Sequence, residues 1–433
     1  MTSNTEFIAQ TMINQPVINI GMIGHVANGK STITEDISGE STQRHSAEKK
    51  KNRTIKLGYA NAKIYKCPQC NPPECYQSTS SDVMEHRCIF CQEKTKLIIH
   101  VSFADCPGHH DLMATMLNGT CIMDCCILVE SVTNNDIPAS QTIDHFEIAQ
   151  ETGVKVSMVC INKMDLMLSK KQMIYDSINR IRKFVNSGTE CSEIPIIPVS
   201  GTMPCNIDVV CEYISHIDIP IKNLTDNYKM LIVRSFNINS ERIPINELNG
   251  GVIGGSIVRG LLRVNDPIVI YPGFLEFDEK GIWKNTPLYS KIISIQSEQN
   301  NLDYAISGGL IAIQLDIDSA LTGADGLIGQ VAYSDKEKDV KVYIEITIKY
   351  KNRRRLLANV VNAINFMVNT VVQINANANN INAKIKSFDK DILCLLLSQP
   401  ICLEKNDLVS VSKLCHTGID ICGYGIFVSG IEI

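Results

Sequence analysis

Gly24-His25-Val26-Ala27-Asn28-Gly29-Lys30-Ser31 constrains this chain more than any other segment. It has the pattern G-x-x-x-x-G-K-[ST] and directly follows an apolar run, Val17 to Ile23, of strand length. The arrangement predicts a strand, a glycine loop and a helix opening at Thr32. Small glycines let successive backbone N–H groups curl around a β-phosphate, Lys30 reaches the β and γ oxygens, and the Ser31 hydroxyl ligates Mg²⁺. His25 to Thr32 are therefore candidate phosphate contacts.

At 433 residues the chain exceeds one core and suggests about three domains. Apolar runs alternate with helical stretches up to about Asp218: Val17 to Ile23, Lys96 to Ala104, Cys125 to Val129, Val156 to Ile161 and Ile194 to Val199. That rhythm predicts a mainly parallel sheet flanked by helices. Beyond Asp226, short β-branched segments alternate with Gly, Pro and Asn-Asp turns, the pattern of antiparallel barrels. A charged break at Ser334 to Asp339 divides this region into two. The expected organisation is an α/β P-loop domain over 1–222 and two antiparallel β-barrels over 223–336 and 337–433. The run from Asn375 to Asn382 reads as a loop between strands rather than a disordered tract.

Three further motifs follow predicted strands. Asp105-Cys106-Pro107-Gly108-His109 places a carboxylate where Mg²⁺ would sit, offers the Gly108 N–H to a γ-phosphate and points His109 at the attacking water. Asn162-Lys163-Met164-Asp165 sets base choice, because the Asp165 carboxylate can accept both N1–H and N2–H of guanine. Ser200-Gly201-Thr202 lies where a backbone N–H could meet guanine O6. Together with the phosphate loop they predict GTP and GDP as ligands.

The net charge of −5 argues against a protein that coats nucleic acid by bulk charge. No basic apolar leader opens the chain, and no stretch reaches the ~18 apolar residues that span a bilayer, so a cytoplasmic protein without membrane contact is expected. Most of the 17 cysteines sit singly in apolar runs, as small hydrophobes do. Cys67-x2-Cys70 and Cys88-x2-Cys91, however, have the spacing of a four-thiolate zinc knuckle, an insert over about 66–92. Cys75 and His86 are spare ligands.

With these motifs placed, the sequence resembles the gamma subunit of eukaryotic and archaeal translation initiation factor 2, itself similar to elongation factor Tu. The carrying stretches are Gly24 to Thr32, Thr54-Ile55-Lys56-Leu57-Gly58-Tyr59-Ala60-Asn61-Ala62-Lys63-Ile64-Tyr65 and His100-Val101-Ser102-Phe103. Leu231 to Phe236, Gly250 to Ser256 and Gly308 to Ile311 match the family's second domain. The resemblance implies a GTPase that carries initiator methionyl-tRNA, assembles with alpha and beta subunits, meets GTPase-activating and nucleotide-exchange factors, and delivers its cargo to the small ribosomal subunit. It also implies that Thr54 joins Ser31 and Asp105 on Mg²⁺ and that His109 is catalytic.

Asn28 stands where the family usually has His, Arg53 where it has an apolar residue that screens His109, and Gly326 where it has Arg. Gly201 replaces an alanine but keeps its N–H. Ser410-Val411-Ser412-Lys413 lies where paired arginines are usual. Arg353-Arg354-Arg355 reads either as a phosphate anchor or as a solvated barrel edge. The rival readings are an elongation-type or selenocysteine-type tRNA carrier, against which the cysteine insert speaks, and a GTP-dependent scaffold that no longer hydrolyses.

Overall fold

In a computed structural model the residues described are 2–42, 57–109, 112–187, 194–239, 244, 248–353, 366–415 and 418–433. Two compact units form, the first drawn mainly from residues up to 221 and the second carrying both barrels.

The first unit is built on β1 (Ile18–Ile23), β2 (Gly58–Lys66), β3 (Tyr76–Ser80), β4 (Lys96–Asp105), β5 (Cys125–Ser131), β6 (Lys155–Asn162) and β7 (Ile196–Pro198), in the order β3-β2-β4-β1-β5-β6-β7. Strands β4, β1, β5, β6 and β7 run parallel, whereas β2 and β3 are antiparallel additions at one edge. All residues of β1 and β5 are buried, which is why they read as mostly apolar runs rather than alternating ones. Each fully buried Ile of β1 contributes roughly 1.5–3 kcal/mol.

Helices α1 (Thr2–Thr11), α2 (Lys30–Ser38), α3 (Met113–Thr120), α4 (Ser140–Glu151), α5 (Lys171–Ser187) and α6 (Ile207–Ser215) complete the unit. Helix α2 packs on β1 to β4 and against α6, and α4 packs on β1, β5 and β6. Because α2 starts at the end of β1, its N-terminus faces the edge where the strands β1, β4, β5 and β6 finish. That convergence places the motifs together.

The first barrel has the strands β8 (Lys229–Phe236), β9 (Val252–Arg259), β11 (Pro267–Phe277), β12 (Trp283–Ser297), β15 (Ile311–Leu315) and β16 (Val331–Ser334). They follow the order β11-β16-β8-β9-β15-β12 and close through β11 on β12. The short β10 (Leu261–Arg263) pairs with β14 (Tyr304–Ile306), and β13 (Asn300–Leu302) extends from β12. In the second barrel β17 (Val342–Asn352), β18 (Val371–Ala376), β19 (Asn379–Asp389), β20 (Ile392–Cys402), β21 (Leu408–Cys415) and β22 (Gly418–Glu432) close in the order β17-β20-β19-β18-β21-β22. Inward residues such as Ile374, Ile381, Ile385, Leu395 and Val411 make its core.

The Asn-rich run is a hairpin rather than a loop. β18 and β19 pair through Asn375 with Asn380 and Ala376 with Asn379, leaving a two-residue turn. Asn377 and Ala378 have φ of 50° and 64°, the left-handed pair that a tight hairpin requires. Ser410 and Ser412 are buried in β21, and Lys413 Nζ lies over the Phe366 ring, 5.3 Å from its centre. Arg353 is also buried, against the reading of a wholly solvated edge; Arg354 and Arg355 lie outside the described residues. At the replaced arginine, Gly326 leaves Asp325 to accept from Arg234 Nε and the Ser235 N–H, both at 3.1 Å.

A partly buried ionic cluster joins the barrels. Arg259 donates to both oxygens of Glu404, at 2.7 and 2.9 Å. Lys229, 3% exposed, lies 3.2 Å from Glu404 and 3.5 Å from Asp407.

Candidate GTP site and cysteine cluster

The phosphate loop is shaped by two glycines. Gly24 has φ 135° and a Cβ there would meet the Val129 carbonyl at 2.2 Å, so only glycine lets the loop leave β1 beside β5. Gly29, φ 92°, caps α2, and a Cβ would strike Asn162 Nδ2 at 2.1 Å. Between them, the Gly24 N–H donates to His145 Nδ1 at 3.0 Å and the His25 N–H to Thr142 Oγ1 at 3.2 Å. Both acceptors come from α4.

Lys30 is buried, and its ammonium spans the loop by donating to the Gly24 and His25 carbonyls, each at 2.9 Å. Burial lowers its affinity for a proton, and the nearby Asp105 opposes that effect. Ser31 Oγ donates to Asp105 Oδ2 at 2.6 Å, and Thr42 Oγ1 donates to the same oxygen at 2.7 Å. The carboxylate that ends β4 and a hydroxyl from the first turn of α2 thus meet at one point, with hard oxygen donors that fit Mg²⁺. Gly108 lies against the loop's mouth: a Cβ would come 2.6 Å from the Val26 N and 2.7 Å from Lys30 Nζ. His109 is half-buried. Burial, more than the Lys30 and His109 charges, holds His25 below the usual imidazole range against the pull of Glu130. Arg53 and Thr54 lie outside the described residues.

The base-reading residues form a second linked group. Asn162 donates from Nδ2 to the Asn28 carbonyl at 2.9 Å, and its Oδ1 accepts the Lys163 and Gly201 N–H groups at 2.7 and 3.1 Å. Lys163 has φ 65°, which turns the chain so that Asp165 follows. The Asp165 carboxylate accepts from Ser200 Oγ at 2.6 Å and Thr202 Oγ1 at 3.3 Å. Held so, it presents acceptor oxygens of the kind guanine N1–H and N2–H need. Thr32 abuts Gly201, where a Cβ would fall 3.0 Å from Thr32 Cγ2.

Sequence reasoning missed Thr42, Thr142, His145 and Glu130. None carries a spacing signal, since each reaches the site from another element.

The Sγ atoms of Cys67, Cys70, Cys88 and Cys91 lie within 4.8 Å of one another. Two of the pairs, Cys67 with Cys91 and Cys70 with Cys88, are 3.4 and 3.6 Å apart. A tetrahedral ion with ~2.3 Å bonds to sulfur spaces its thiolates about 3.8 Å apart, so these four fit zinc. The Gln77 amide donates to Cys88 Sγ at 3.2 Å and its oxygen accepts the Ile89 N–H at 3.1 Å, which fixes one knuckle. Cys75 stays outside the group, and His86 Nδ1 is 3.1 Å from Thr95 Oγ1. Neither spare ligand is used.

Comparison with known proteins agrees with this geometry. Residues 15–220 match the Elongation factor Tu GTP binding domain. Over 426 residues the chain is 39% identical to the eukaryotic translation initiation factor 2 subunit gamma of Schizosaccharomyces pombe, covering 96% of this chain and 94% of that one. It is 36% identical to subunit 3 of the same factor from Drosophila melanogaster, covering 99% and 92%. Among solved structures, a bacterial selenocysteine-specific elongation factor superposes with a TM-score of 0.69 at 20% identity, over 95% of this chain and 58% of that one. The elongation factor SelB of Methanococcus maripaludis, bound to a GTP analogue, gives 0.68 at 18% identity over 96% and 80%. Among the described residues no helix is long and apolar enough to cross a membrane.

Proposed function

This chain belongs to the family of translation initiation factor 2 gamma subunits, translational GTPases, and from that premise we propose that it binds initiator methionyl-tRNA in a GTP-dependent ternary complex. In this reading it delivers the tRNA to the small ribosomal subunit and hydrolyses GTP to GDP on start-site selection. The observation that carries the proposal is an overall identity of 39% in an alignment that covers 96% of the chain and so spans the GTPase domain and both barrels. The elongation-factor neighbours share the fold at 20% identity or less, which carries no cargo assignment.

In the proposed mechanism His25 to Thr32 cradle the phosphates, Lys30 neutralises charge building on the β–γ bridge, and the Gly108 N–H orients the γ-phosphate. Ser31, Asp105 and Thr54 would hold Mg²⁺, which when bound offsets the triphosphate's negative charge. His109 orients the attacking water, and hydrolysis is slow until an activating partner arrives; a charged Arg53, where the family has an apolar residue, would leave the screen over that histidine more open. Asn162, Lys163, Asp165, Ser200, Gly201 and Thr202 read the guanine. Cys67, Cys70, Cys88 and Cys91 hold a structural zinc, since four thiolates leave no open position. Alpha and beta subunits complete a cytoplasmic heterotrimer, which activating and exchange factors regulate.

Filter binding of initiator and elongator methionyl-tRNA, each with GTP and GDP, tests the cargo. Retention of initiator tRNA with GTP alone is expected; equal retention in all four mixtures would end the proposal. Hydrolysis is tested separately by a single turnover with small ribosomal subunits and the activating partner, where GTP surviving unchanged would favour the scaffold reading.

A further inference from the structure

Glu130, next to last in β5, is fully buried, an expensive place for a carboxylate unless donors surround it. They do. Its Oε1 accepts the Ser131 N–H at 3.0 Å and Asn28 Nδ2 at 3.4 Å, and Asn134 Nδ2 also donates to it. Its Oε2 accepts the Ala139 N–H at 3.1 Å. Every one of these partners is an N–H donor, so the pocket is built for two acceptor oxygens.

Two of the partners support the phosphate loop. Asn28 is the loop residue at which this chain departs from the family's usual histidine. It is itself fully buried, donates to the Val129 carbonyl at 2.8 Å and accepts from Asn134 at 3.0 Å. Ala139 is the N-cap of α4, whose Thr142 and His145 accept the first two N–H groups of the loop. Glu130 therefore touches both flanks of a loop whose N–H directions decide phosphate binding.

We propose that Glu130 is a positioning residue for the nucleotide, acting through Asn28 on one flank of the phosphate loop and through Ala139 and α4 on the other. It touches no phosphate itself. The proposal rests on nucleotide binding by the domain, which the unmodified chain reports in the same assay, and not on the cargo.

Glu130→Gln keeps the volume but puts an NH₂ group against a donor on one side or the other. With the full chain and fluorescent GDP and GTP, both affinities should fall about tenfold or more, by a similar factor, through faster dissociation. Asn28→Ala should weaken both nucleotides likewise. Because the two residues share one link, the double variant should be less than twofold weaker than the worse single variant. A general loss of stability would add instead. Unfolding midpoints of the nucleotide-free variants, all above the assay temperature, secure the comparison. If Glu130→Gln does not fold, Asn28→Ala and Asn134→Ala carry the test, each removing one donor. Affinities within twofold of the unmodified chain, or losses that simply add, overturn the proposal.

Discussion

Asp165 accepts from Ser200 and Thr202 and so holds its carboxylate in one orientation. Asp165→Asn replaces an acceptor oxygen with a donor facing guanine's own donors. GTP affinity should drop about a hundredfold, while xanthosine triphosphate, which presents a carbonyl at that edge, should gain; competition binding measures both. A different carboxylate carries a pH dependence. Asp36 on α2 has one oxygen without a hydrogen bond among the described residues, 3.2 Å from where a Cβ at residue 201 would sit. Burial first, and Glu35 second, push its carboxyl from 3.8 up to about 6. The fold thus favours the protonated form, and that stability is complete below about 3.8 and lost as pH rises through about 6. Asp36→Asn should raise the thermal midpoint at pH 7 and leave it unchanged near pH 3.5.

The cysteine knuckles, held between β2, β3 and β4, make a prediction at the level of elements. The purified chain should contain about one zinc, Cys88→Ser should lose it, and Cys75→Ser should keep it, as metal analysis would show. Retention by Cys88→Ser would refute the ligand set. The knuckle was legible in the sequence because ligand spacing is local, and so was the phosphate loop, whose glycines answer a demand of the backbone. The parallel strands were legible too, since burial on both faces leaves them mostly apolar. Strand β2 was harder to read: it buries Asn61 and Lys63 among its apolar residues, and the Lys63 ammonium finds the Val83 carbonyl at 2.9 Å. A polar residue satisfied from another element leaves no trace in periodicity. Thr42, Thr142 and His145 escaped for the same reason, as they meet Asp105 or the loop only after the chain has folded. The Asn-rich hairpin was misjudged because asparagine, tolerant of left-handed φ, suits both loops and two-residue turns.

In the barrel unit as a whole, the Arg259–Glu404–Lys229 cluster is a polar link between two separately closed sheets. Burial alone would raise the Glu404 carboxyl, but Arg259 and Lys229 hold it down at about 2. Its contribution is therefore present above 4.5 and lost as pH falls through about 2. Arg259→Ala should destabilise the unit by about 1–2 kcal/mol at pH 7, seen in denaturant unfolding, with the difference closing towards pH 2.

Asn162 joins the base-reading and phosphate-reading halves of the nucleotide site: its amide nitrogen holds the Asn28 carbonyl while its oxygen holds the Gly201 N–H. One rigid amide thus acts as a crosspiece between two loops that are far apart in sequence. An unbroken ligand meets both halves already in register, whereas guanosine and pyrophosphate offered as separate fragments each bear the full cost of being immobilised. Whole GTP should therefore bind far more tightly than the product of its fragments' affinities, a chelate advantage that Asn162→Ala would erode.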